Sequence, residues 1–199
     1  MRSIHTVLIV SLLIIVGAGS LFAAPGSQEM PWSAELSAGG AYIGEEGTGE
    51  LGLALSRRMG SWYELGITGK AMTRLDHGEE DALGKEYHME SSYAALRFKP
   101  TFELSPRWMI ALNLEAGGGV LTYRYEHKYA EEMRWDEEIL DTLNYAVYNA
   151  GGELAFQASP RYSLFLRGGV RATSPIKTDL ADENELSGFW SEMGLAYRF

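Results

Sequence analysis

The chain has 199 residues, a length that implies one domain, and carries a formal charge of −10. It contains no cysteine, which excludes a disulfide framework, thiolate metal sites, a cysteine nucleophile and a lipoprotein anchor. The acidic balance argues against nucleic acid as a partner and against charge-driven adhesion to an anionic membrane, since both need a basic face.

Arg2 is followed by the apolar run Val7–Val16, the small residues Gly17–Ser20, and Leu21-Phe22-Ala23-Ala24-Pro25. A positive start, a short apolar core and small residues ahead of a turn-former describe a secretory signal peptide. Cleavage is expected after Ala23 or Ala24, so residues 1–24 are assigned to the signal and 25–199 to one barrel domain. A permanent helical anchor is the alternative, because about 18 apolar residues can span a bilayer; the small-residue tail weighs against it.

From Trp32 onward the apolar period is two. Alternate positions carry Ala34, Leu36, Ala38, Gly40 and Tyr42; Leu51, Leu53 and Leu55; Tyr63, Leu65, Ile67, Gly69 and Ala71. The series continues with Ala94, Leu96 and Phe98, then Trp108, Ile110, Leu112, Leu114, Ala116, Gly118 and Val120. It closes with Tyr148–Phe156, Tyr162–Val170 and Phe189–Phe199 in the same alternation. This pattern predicts about eight strands of about 9 to 13 residues, long enough to cross a bilayer when tilted. Connections at 57–61, 99–107 and 158–161 are short, and two share a Ser-Pro-Arg-aromatic phrase, Ser105–Trp108 and Ser159–Tyr162. Those at 44–49, 75–87, 126–141 and 174–187 are mostly longer and acidic. Short turns on one rim and long loops on the other fit an outer-membrane barrel with its long loops outside the cell.

The positions between the apolar ones decide which face meets lipid. They are mostly Gly, Ala and Ser with one or two charges per strand. A soluble barrel such as a lipocalin would instead present a crowded polar exterior around an apolar cavity. Small residues with isolated charges of both signs suit a narrow lumen, where charges must pair. The predicted luminal charge network comprises Glu35, Glu50, Glu64, Glu115, Glu153 and Glu192, with Lys70, Arg97, Arg167 and Arg171 as counter-charges. A plugged lumen held by salt bridges is the expected arrangement; the alternative is a narrow, gated pore lined by the same side chains.

The last residue is Phe199, preceded at every second position by Tyr197, Leu195 and Met193. With the signal peptide and strand count, this resembles the small eight-stranded bacterial outer-membrane barrels of the OmpA, OmpX and OmpW type. The resemblance implies an all-β, eight-stranded, antiparallel up-and-down transmembrane barrel in the bacterial outer membrane. It also implies that Met193, Leu195, Tyr197 and Phe199 form a C-terminal signal read by the barrel assembly machinery, with periplasmic chaperones and outer-membrane lipid as further partners.

Candidate chemistry is sparse. There is no HExxH, no glycine-rich phosphate loop and no GxSxG elbow. The segment Tyr87–Tyr93 offers His88, Glu90, Ser91 and Ser92, but His88 and Ser92 would lie about 13 Å apart along a strand. No catalytic residue, cofactor or metal site is therefore assigned. The acidic loops (Glu79, Glu80, Asp81; Glu131, Glu132, Asp136–Glu138; Asp179, Asp182, Glu183 among them) could hold divalent cations or a basic surface partner, although nothing in them has EF-hand spacing. Tyr123, Tyr125, Tyr129 and Trp135 are either partner anchors or interfacial girdle residues. The expected function is that of a non-enzymatic integral outer-membrane protein with an envelope-structural or surface-contact role. The alternatives are a narrow porin-like channel for small solutes and a membrane-embedded lipid-modifying enzyme.

Overall fold

The computed structural model describes residues 31–43, 46–72, 75–80, 86–129, 134–176 and 186–199. The signal peptide assignment lies outside them, as do much of the acidic loops and the side chains of His77, His88, Tyr123, Tyr125, His127, Tyr129 and Trp135.

Every regular element among the described residues is a strand: β1 Trp32–Ile43, β2 Glu46–Arg58, β3 Tyr63–Met72, β4 Leu75–Glu80, β5 Glu86–Ser105, β6 Trp108–Tyr129, β7 Arg134–Gln157, β8 Tyr162–Thr173 and β9 Gly188–Arg198. Each pairs antiparallel with its neighbours, β1 with β9 (Leu36 opposite Leu195) and β3 with β5 (Ile67 opposite Leu96). These two pairings close the sheet. The short β4 pairs with β5 beyond the end of β3 and shares its place in the wall, so the barrel has eight staves. Closure through β1–β9 and β3–β5 removes the sheet edge around the body of the barrel, the condition for a β structure to lie in hydrocarbon.

Alternation sorts the side chains as the period requires. Leu36, Ile67, Leu96, Leu166 and Phe189 point outward, with Leu96 71% and Phe189 69% exposed. On a water-soluble protein this continuous apolar skin would be an aggregation surface; around a barrel it is the face that lipid covers. No helix among the described residues is long and apolar enough to cross a membrane. Aromatic side chains ring the turn end, in contacts such as Trp62–Phe98, Trp108–Phe156 and Tyr162–Tyr197 with ring centroids 6.2, 5.0 and 5.1 Å apart. Such a ring at one end of a barrel has the composition of an interfacial girdle.

Strand lengths correct the expectation of 9 to 13 residues: β5, β6 and β7 span 20, 22 and 24 residues. The segments 75–87 and 126–141, whose charge reads as loop, are largely paired strand. Backbone pairing, not side-chain pattern, sets the length of these strands. The predicted connection 99–107 shrinks to a turn at Pro106 and Arg107. Lys99-Pro100 reads as a turn signal, yet Pro100 sits inside β5 opposite Tyr63, and the pairing resumes through the Thr101 N–H, which donates to the Trp62 carbonyl at 2.7 Å. The turn between β2 and β3 depends on Gly60, whose φ of 112° an L side chain rarely adopts.

Candidate functional site

All ten residues of the predicted luminal network face inward and are buried. The structure gathers most of them into one web of charge-assisted hydrogen bonds. Its hub is Glu35 on β1. Arg97 on β5 donates to both of its oxygens, at 2.7 and 2.6 Å, in the bidentate fork that suits guanidinium and carboxylate. Lys99 reaches the same carboxylate at 2.9 Å and Arg167 at 2.8 Å. One anion thus collects three cations from two strands, neither of which pairs with β1.

Around the hub, Glu192 accepts from the Lys70 ammonium at 2.9 Å, from the Ser37 hydroxyl at 2.7 Å, and from Arg167 Nε. Glu153 lies 2.9 Å from Lys99 and 3.6 Å from Arg167. Glu64 has a looser pairing, 3.8 Å from Lys99. Toward the outer end, Arg171 binds Glu50 at 2.9 and 2.8 Å, and Lys70, 3.5 Å from Glu50, links this group to the hub. Ring faces supplement the ion pairs: Lys70 lies 4.4 Å from the Trp190 centroid and Arg171 4.9 Å from that of Tyr93.

Lys99 is the member that sequence reasoning misses. The proline after it suggests a turn, but alternation from Arg97 through Lys99 to Thr101 continues inward, and that parity is the available signal. Its inclusion gives, among the described residues, five buried cations, Lys70, Arg97, Lys99, Arg167 and Arg171, for six buried carboxylates. Glu115 is the carboxylate not brought into an ion pair among the described residues; the Asn149 amide donates to it at 2.7 Å. Arg97 sits directly opposite Glu115 in the β5–β6 register, yet its guanidinium turns to Glu35.

Apolar layers flank the web. On its outer side Met72, Met89, Leu121, Val147, Ile176, Leu186 and Trp190 pack together with Tyr145, whose hydroxyl lies 2.7 Å from Ser91 Oγ. On the turn side Met109, Ala155, Phe165 and Ala196 fill part of the bore. An eight-stranded barrel has an interior just wide enough for side chains, and these occupy it. Tyr145→Phe is expected to cost about 1 kcal/mol through the lost hydroxyl contact, read as a lower urea midpoint in refolded protein; no change would mean that water replaces the bond.

The other candidates separate. Ser91 faces inward to Tyr145, whereas Ser92 faces outward, so the two serines of the Tyr87–Tyr93 segment do not share a site. Among the described residues no cluster of three or more His, Asp or Glu is placed to hold a metal ion. Met193, Leu195, Tyr197 and Phe199 line the outer side of the β1–β9 seam, with the rings of Tyr197 and Phe199 stacked at 5.9 Å.

The fold is that of the eight-stranded outer-membrane barrels. Neisserial surface protein A matches at a TM-score of 0.51 with 11% identity, over 84% of this chain and 96% of that one. A major outer membrane protein from Thermus thermophilus matches at 0.51 with 13% identity, over 85% and 98%. The attachment invasion locus protein Ail of Yersinia pestis matches at 0.46 with 14% identity, over 85% and 97%. At these identities the likeness is one of fold. No protein-family profile matches the sequence, and no curated protein sequence matches it.

Proposed function

We propose that this chain is a non-enzymatic integral protein of the bacterial outer membrane, with a sealed barrel as support and an envelope-structural or surface-contact role carried by its acidic outer loops. The observation behind this reading is the filled lumen. An ion crossing it would have to part Glu35 from three cations and wet the apolar layer around Met89, Leu121 and Trp190. Hydrophobic constrictions of that kind resist wetting, so the interior favours a plug over the porin-like alternative.

In this reading residues 1–24 direct export, and the outward-facing Met193, Leu195, Tyr197 and Phe199 are the segment presented to the assembly machinery. The long acidic segments, rich in Glu131, Glu132 and Asp136–Glu138, would meet divalent cations or a basic surface partner. Reconstitution in planar bilayers tests the plug: no stepwise current is expected at high protein load, and regular conductance steps would overturn it. Binding of a cationic probe such as polylysine to intact cells tests the loops. Exchanging the acids of 131–141 for their amides should weaken that binding while the barrel keeps its folded electrophoretic mobility; unchanged binding would remove the loops from the reading.

A further inference from the structure

We propose that the turn end of the barrel is a binding surface for anionic phospholipid headgroups, built from a ring of arginines. An arginine stands at each place where the wall meets this rim: Arg57 and Arg58 before the β2–β3 turn, Arg107 in the β5–β6 turn, Arg161 in the β7–β8 turn, and Arg198 at the end of β9 beside the start of β1. Arg57, Arg107 and Arg161 are exposed, and Glu103 is the one exposed acidic side chain at this end among the described residues. The opposite end carries the acidic segments. The chain as a whole is acidic, so a basic rim runs against its composition.

Local structure holds the ring in place. In both Ser-Pro-Arg turns the serine hydroxyl accepts the arginine backbone N–H, from Arg107 to Ser105 at 3.4 Å and from Arg161 to Ser159 at 3.3 Å. Each of these arginines is then followed at once by a girdle aromatic, Trp108 or Tyr162. Arg57 lies over the Trp32 ring at 5.6 Å. Because such aromatics sit at headgroup level, the guanidinium groups lie within a side chain's reach of the phosphates. Arginine binds phosphate oxygens in a bidentate fork, and a cation near an anionic leaflet gains about fivefold in binding.

The inference rests on the barrel being membrane-embedded, and its test separates the two. The folded chain is reconstituted with lipids brominated in their acyl chains, and tryptophan quenching is read; Trp32, Trp62 and Trp108 report from this girdle. Brominated phosphatidylglycerol is expected to outcompete brominated phosphatidylcholine about threefold, in line with a few screened charges. The triple variant Arg57→Gln, Arg107→Gln, Arg161→Gln should bring the ratio close to one; if it folds poorly, Arg107→Gln alone should lower the ratio part of the way. A wild-type ratio of one, or an unchanged ratio in the variants, would overturn the proposal. Quenching by neither lipid would overturn membrane embedding itself.

Discussion

Glu35→Gln is expected to lower the unfolding free energy of the barrel by about 3–5 kcal/mol, the cost of stranding buried cations without their anion. Two arginines and a lysine converge on that carboxylate at 2.6–2.9 Å, and Glu153 and Glu192, which share these cations, are already engaged. Glu64→Gln removes the same formal charge from a position 3.8 Å from one ammonium. It should cost no more than about 1 kcal/mol, the worth of a single modest polar contact. Urea titration of the two proteins in lipid vesicles, followed by tryptophan fluorescence, compares them directly. Equal losses would mean that the web acts as a diffuse charge pool rather than through its hub.

Gly169→Val should be among the most damaging small changes to the wall. Gly169 on β8 faces the lumen so close to β7 that any Cβ would collide with the Ala150 carbonyl and the Gly151 Cα. Backbone atoms cannot rotate away as a side chain can, so the upper end of overpacking costs applies, about 3 kcal/mol. Gly152→Val is the matched control: it faces outward, and nothing lies within 4 Å of its added Cβ. A change there should fall within about 0.5 kcal/mol. The folded fraction, read by heat-modifiable electrophoretic mobility, should drop for Gly169→Val and hold for Gly152→Val; the reverse order would refute the packing argument.

Much of this architecture is legible in the sequence because a barrel wall has a strict period of two. Parity alone puts Glu35, Arg97 and Glu192 inside and Leu36, Leu96 and Met193 outside, with no knowledge of the closed sheet. Strand ends are harder to see. The charged residues of 126–129 read as loop in the sequence, although their backbone is paired. Proline within β5 imitates a turn and hides Lys99. The pairing across the lumen is not legible. Register places Arg97 opposite Glu115, but the actual partner of Arg97 is Glu35, with β2 and β3 between their strands in the wall. Contacts across the bore depend on strand tilt and stagger, and those are properties of the closed cylinder.

The position of the hub bears on how the cylinder comes into being. Glu35 and Glu192 stand on β1 and β9, the first and last strands to be made, which pair at the seam. Their cations arrive from β3, β5 and β8. An open, half-wound sheet therefore holds stranded ions on a surface about to enter oil, where each is penalised. Only joining the two extremities of the polypeptide neutralises them together. Closing the seam between β1 and β9 thus sets Glu35 and Glu192 side by side within reach of the same Arg167.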